Sequence, residues 1–144
     1  MKKAQLAKHR LERGKPVDHD ALADFQFNLR HFLSFSEANT RKNGLTSHQY
    51  QALLTIRGLS KPDTSMSVRE LASFLLIKNQ AAAGLVNQMA RIGLLTRSTD
   101  PVDGRRVLVA LTRKGKQKLA KVAKANWREL GHGQLSLTKI LKPI

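Results

Sequence analysis

Apolar residues recur at helical spacing from Asp18 to about Thr40, where Leu22, Phe25, Leu29, Phe32, Leu33 and Ser36 fall three or four apart. Asp18 and Asp20 suit the positive start of such a helix. Phe25, Phe27, Phe32 and Phe35 all lie in this stretch and occupy more than one face, so a second apolar face is expected to meet a partner helix. Thr46-x-x-Gln49 reads as a capping box opening a helix through about Arg57, with Gly58 as its C-cap. "LSKPDTSM" reads as loop. A second box, Ser67-x-x-Glu70, opens the short helix "VRELASFL". "LIKNQ" then makes a tight turn into "NQAAAGLVNQMARI", a helix ended by Gly93. "LLTRS" and "RVLVAL" alternate apolar and polar positions on either side of "DPVDGR", the pattern of a hairpin. Thr112 starts a long basic helix through about Leu130, ended by Gly131, and "QLSLTKILKPI" predicts a short C-terminal helix.

Charge changes this picture more than composition does. The chain has 144 residues, enough for one domain with a real core, and carries 26 Lys+Arg against 10 Asp+Glu, a net charge of +16. Charge of that size points to an anionic partner, nucleic acid first, with a membrane surface or an acidic protein as alternatives. There are no cysteines, which excludes disulfides and thiol chemistry. Neither a signal peptide nor a membrane-spanning run is legible, so a cytoplasmic protein without membrane contact is expected. Residues 1–17 form a basic arm, read as partly helical up to Pro16.

Helix, helix, short helix, turn, helix, two-stranded wing and helix is the order of a winged helix-turn-helix between terminal helices. "LTSHQYQALLTI", "SVRELASFL", "GLVNQMARIGLLTR" and "DPVDGRRVLVALTRKG" resemble, in order and spacing, signature segments of the MarR family of bacterial transcription regulators. The resemblance covers roughly residues 20–130, and its most specific part is Asp100-x-x-Asp103-x-Arg105 followed by Val109-x-Leu111-Thr112. It implies a mainly α fold with a small β-wing, in which 18–144 form a single domain. Residues 18–42 and 112–144 would supply dimerisation helices and 45–111 the winged helix-turn-helix lobe.

In such a fold the second helix of the helix-turn-helix enters the major groove with its N-terminal residues nearest the base edges. Those are Lys78, Asn79 and Gln80, which offer guanine, phosphate or adenine contacts. Family members often carry a Ser or Thr and a longer polar residue about where Ala83 and Gly84 stand, so direct readout in that turn is reduced. Asn87 and Gln88 read equally as base contacts or as a solvated face. Arg69, Arg97, Arg113 and Lys114 are phosphate candidates. In the wing, Asp100 and Asp103 are expected to cap the turn and pair with Arg106 or Arg97, leaving Arg105 at the tip to reach the minor groove. Asp103 and Arg106 are counted with that DNA-facing set.

The resemblance further implies a small anionic or aromatic effector. His31, Phe32, Phe35, His48, Tyr50 and Trp127 are its candidate lining, with core or interface packing as the alternative for each. Nothing points to an enzyme: no carboxylate pair, glycine-rich phosphate loop or serine elbow is present, and the five His lack tight metal-ligand spacing, so neither metal nor cofactor is expected. The partners are then double-stranded DNA and a second copy of the chain. A sequence-tolerant architectural nucleic-acid binder is the rival reading, motivated by the charge and the bland "AAAG" turn.

Overall fold

The computed structural model describes residues 14, 16–60 and 65–132. The expected C-terminal helix, and all of the basic arm except residues 14, 16 and 17, lie outside them. Five helices and a three-stranded sheet follow in the order α1 (His19–Lys42), α2 (Ser47–Leu59), β1 (Met66–Ser67), α3 (Val68–Leu75), α4 (Asn79–Arg91), β2 (Leu95–Thr99), β3 (Val107–Leu111) and α5 (Arg113–His132). This is the mainly α fold with a small wing that the pattern predicts.

Local chemistry sets most of the boundaries. Asp18 caps α1 by accepting from the Ala21 N–H at 2.9 Å, while Arg41 and Lys42 sit at the negative end of the helix. The Thr46–Gln49 box forms in both directions, at 3.1 and 3.0 Å. Two expected stops do not occur where the sequence placed them. Gly58 keeps a helical backbone and α2 runs on to Leu59, with Ser60 as the cap; Gly131 likewise lies inside α5. A glycine ends a helix only when it takes the left-handed conformation, as Gly93 does after α4 (φ 80°). Leu76 takes that conformation at the end of α3 (φ 56°, ψ 41°) without being glycine. The second box is one-sided: Ser67 accepts from the Glu70 N–H at 3.1 Å, but the Glu70 carboxylate meets the Ser67 hydroxyl rather than its backbone.

The "LSKPDTSM" loop ends in a strand that the sequence analysis did not foresee. Met66 and Ser67 pair antiparallel with Val109 and Leu108, giving sheet order β1-β3-β2, while Leu95↔Leu111 and Thr99↔Val107 set the register of the hairpin. Two residues are too few to show a period, and their partner lies far along the chain.

Leu53, Met66, Leu71, Val86, Met89, Leu94 and Val109 form the centre of one core, each almost fully buried. Burial of such a side chain contributes about 1.5–3 kcal/mol. The start of α5 seats directly on the junction after α4: a Cβ on Gly115 would lie 2.2 Å from the Leu94 carbonyl oxygen, so only glycine fits there. Thr112 ties the same junction by donating to Gly93 O and accepting from the Gly115 N–H at 3.0 Å.

The first helix is built differently. Its buried residues are Ser36 and Thr40, whereas Leu22, Phe27, Leu33 and Phe35 are exposed. Ser36 closes the helical-spacing stripe of the sequence, so the stripe is the face turned to its own lobe, but Phe25, Leu29 and Phe32 along it are only half-buried and Leu22 and Leu33 are exposed. The fully buried end of that face is polar: Asn126 of α5 donates through Nδ2 to Ser36 Oγ and to Tyr50 Oη, both at 2.9 Å. Asn39 donates to Val122 O at 3.1 Å and to Asn126 Oδ1 at 3.3 Å. One buried network thus joins α1, α2 and α5.

Candidate nucleic-acid interface

Hydrophobic residues of α4 decide which of its faces is left over. Ala82, Val86 and Met89 are buried at helical spacing, which turns Gln80, Gly84, Asn87, Gln88 and Arg91 to solvent. At the N-terminus Lys78, Asn79 and Gln80 are exposed, and Lys78 makes no side-chain cap, so the first N–H groups of α4 stay open at the positive end of the dipole. Ala83 is half-buried beside this face rather than on it. Gly84 is exposed, and a Cβ added there would meet nothing within 4 Å. Arg69 of α3 is exposed as well.

The wing owes its shape to its acids. Asp100 Oδ1 accepts from the Val102 N–H at 2.8 Å and from the Asp103 N–H at 3.4 Å, while Oδ2 lies 3.5 Å from Arg106 Nη1. The Val102 bond is the largest cause holding the Asp100 carboxyl below the usual carboxylate range; partial burial opposes it, and the Asp103 N–H and Arg106 reinforce it. Asp103 accepts from the Arg105 N–H at 3.1 Å, and Arg106 N–H closes the turn onto Asp103 O at 3.0 Å. The two arginines then part company. Arg105 is 98% exposed, with Nε 4.0 Å from Asp103 as its one ion pair among the described residues. Arg106 is 38% exposed and bridges Asp100 to Glu70 of α3.

Arg106, counted among the DNA-facing residues on sequence, also clamps the wing to α3. Glu70 was read only as a capping residue. Its partner is Arg106, a pairing 36 positions away that no local pattern signals. Of the two expected partners of the wing acids, Arg106 pairs with Asp100, whereas Arg97 from β2 donates through Nη1 to Asn87 Oδ1 on α4. Lys114 Nζ donates to Ile92 O at 2.9 Å and caps the C-terminus of α4.

The six candidate effector residues are dispersed in burial. Tyr50 is buried in the Asn126 network, Phe32 is half-buried, and His31, Phe35, His48 and Trp127 are exposed, Trp127 at 77%. His31 packs edge-on against Phe27, ring centroids 5.4 Å apart.

Known proteins share this arrangement. The family model described as MarR family matches residues 43–106, the span from the end of α1 to the wing. A proposed transcriptional regulatory protein for the hcr operon of Thauera aromatica is 31% identical over 133 residues, an alignment spanning 83% of this chain and 78% of that protein. Transcriptional regulator Tm0710 from Thermotoga maritima has a similar solved structure: TM-score 0.58, 26% identity, covering 83% of this chain and 81% of that one. A MepR variant from S. aureus, solved bound to an oligodeoxyribonucleotide, superposes with TM-score 0.62 at 17% identity, over 86% of this chain and 88% of its own. The regulatory relative and the family model agree with the winged lobe, and the chain belongs to the MarR family, whose members are transcription regulators and not enzymes.

Proposed function

We propose that the chain is a homodimeric repressor that binds a pseudo-palindromic operator in duplex DNA, acts in the cytoplasm and is released by a small anionic or aromatic effector. The observation that carries the reading is the free N-terminus of α4, where Lys78, Asn79 and Gln80 are exposed next to a wing whose acids leave Arg105 outstretched. That a MepR variant of the same fold is solved with an oligodeoxyribonucleotide supports it. Each protomer would place α4 in a major groove, with half-sites about 10–10.5 bp apart, and Arg105 along an adjacent minor groove.

The second copy is supported by α1. Phe27 and Phe35, eight residues apart on one side of α1, are 55% and 36% exposed, and large apolar side chains grouped on a helix mark an interaction face. Among the described residues no helix is long and apolar enough to cross a membrane.

The small residues Ala81 and Gly84 on the exposed face favour the rival, a sequence-tolerant architectural binder. Selection of duplexes from a random pool, followed by competition at about 150 mM salt, separates the two. The repressor reading expects specific over non-specific binding of about 10³ or more, and a ratio near unity would reject it. Arg105→Ala is expected to weaken selected duplexes by on the order of 1 kcal/mol with the fold intact; wild-type affinity would remove the wing tip from the interface.

A further inference from the structure

We infer that Asn87 and Arg97 form one donor-only reading unit that selects guanine over adenine at one position of each half-site. The inference rests on the DNA-binding reading above and adds a specificity that the fold alone does not carry.

Gln80, Gly84 and Asn87 lie on one exposed stripe of α4, four and three residues apart. Gly84 leaves no side chain between Gln80 and Asn87 and has open space around its missing Cβ. Its backbone is helical, so nothing within the protomer requires glycine, and glycine inside a helix costs about 0.5–1 kcal/mol against alanine. An outside surface can approach the helix closely there, which brings a base edge within reach of the short Asn87 side chain.

Asn87 is not a free amide. A guanidinium has donors and no acceptor, so the Arg97 Nη1 contact requires the Asn87 oxygen to face Arg97 and its NH₂ to face away. Adenine is read bidentately by an asparagine that accepts from N6 and donates to N7. Here the acceptor already carries a cation, and the guanidinium brings further N–H donors to the place that the adenine N6 amino group, itself a donor, would occupy. Guanine presents two acceptors, N7 and O6, on the same edge. The pair offers the amide NH₂ and the remaining guanidinium N–H groups, which match guanine and leave adenine with an unpaired donor.

The test is a set of selected duplexes carrying every single-base substitution, with dissociation constants measured for wild type, Arg97→Met and Asn87→Ala. Wild type is expected to lose about 5- to 150-fold when guanine becomes adenine at one symmetric position. In Arg97→Met the freed amide reverts to ordinary asparagine readout, and the guanine preference there falls to within about twofold or passes to adenine, other positions being unchanged. Asn87→Ala is expected to lose the preference at that same position. Both side chains are exposed, so far-ultraviolet circular dichroism should be unaltered in the variants. A preference profile identical to wild type in both variants would overturn the inference. So would uniform weakening of all duplexes with a salt slope smaller by about one, because that marks a phosphate contact. If wild type itself shows no sequence preference, the repressor reading falls, and this inference with it.

Discussion

The winged lobe and the first helix bury opposite kinds of residue. The lobe closes over Leu53, Leu71, Val86, Met89 and Leu94, all within 2% of complete burial, whereas α1 turns Ser36 and Thr40 inward and leaves Phe27 and Leu33 in solvent. A lobe of the first kind is held by its own hydrophobic core. A helix of the second kind is tied to its protomer by directional hydrogen bonds at its buried end and keeps part of its apolar surface exposed. The difference assigns stability to one region and assembly to the other, with the Asn126 network as the joint between them.

The largest effect is expected inside the lobe. Leu71→Ala should cost about 2–5 kcal/mol in denaturant unfolding, since a fully buried leucine leaves a cavity; a loss below about 1 kcal/mol would mean that the lobe is not the stabilising unit. Asn126→Ala strikes the joint and removes the donor shared by Ser36 Oγ and Tyr50 Oη. It should cost about 1–3 kcal/mol by stranding buried polar atoms, and Tyr50→Phe on that background should recover part of the loss.

A third change addresses assembly. Phe27→Glu places a charge on the exposed apolar face of α1 and should leave the lobe within about 0.5 kcal/mol of wild type at a site exposed in the protomer. Sedimentation equilibrium should show self-association weakened about tenfold or more; an unchanged mass would assign that face to solvent. The smallest effect is at the wing. The Asp100 carboxyl is held below its ordinary range in the folded wing, so its contribution is fully present above the unfolded value and is lost as pH falls through the lowered one. Carbonyl-carbon NMR of Asp100 during acidification should show this low midpoint, with the Val102 amide losing protection in step. A midpoint at the ordinary carboxylate value would mean that the cap does not hold.

Much of this was legible because it is local. Caps at Asp18, Thr46, Ser67 and Thr112 act within three residues, and a short window shows them. The wing turn was readable for the same reason: Asp100, Asp103 and Arg106 satisfy one another within a seven-residue stretch. Gly58 and Gly131 misled because a glycine permits a helix to stop without requiring it. The strand at Met66–Ser67 was invisible because it exists only by pairing with Val109 and Leu108. The site residues follow the same divide. Exposure of Lys78, Asn79 and Gln80 follows from the period of α4, but the contacts of Arg106 with Glu70 and of Lys114 with Ile92 depend on partners in other elements.

The sequence by itself determined the helices, their caps, the hairpin turn and the basic charge, because each follows from a repeat, a capping side chain or a sum over residues. Only the tertiary structure decided that Arg106 also reaches Glu70 of α3, that Asn87 meets Arg97, and that the fully buried end of the α1 face is polar. Those outcomes are set by the side chain that happens to arrive from another element, and distance along the chain carries no record of it.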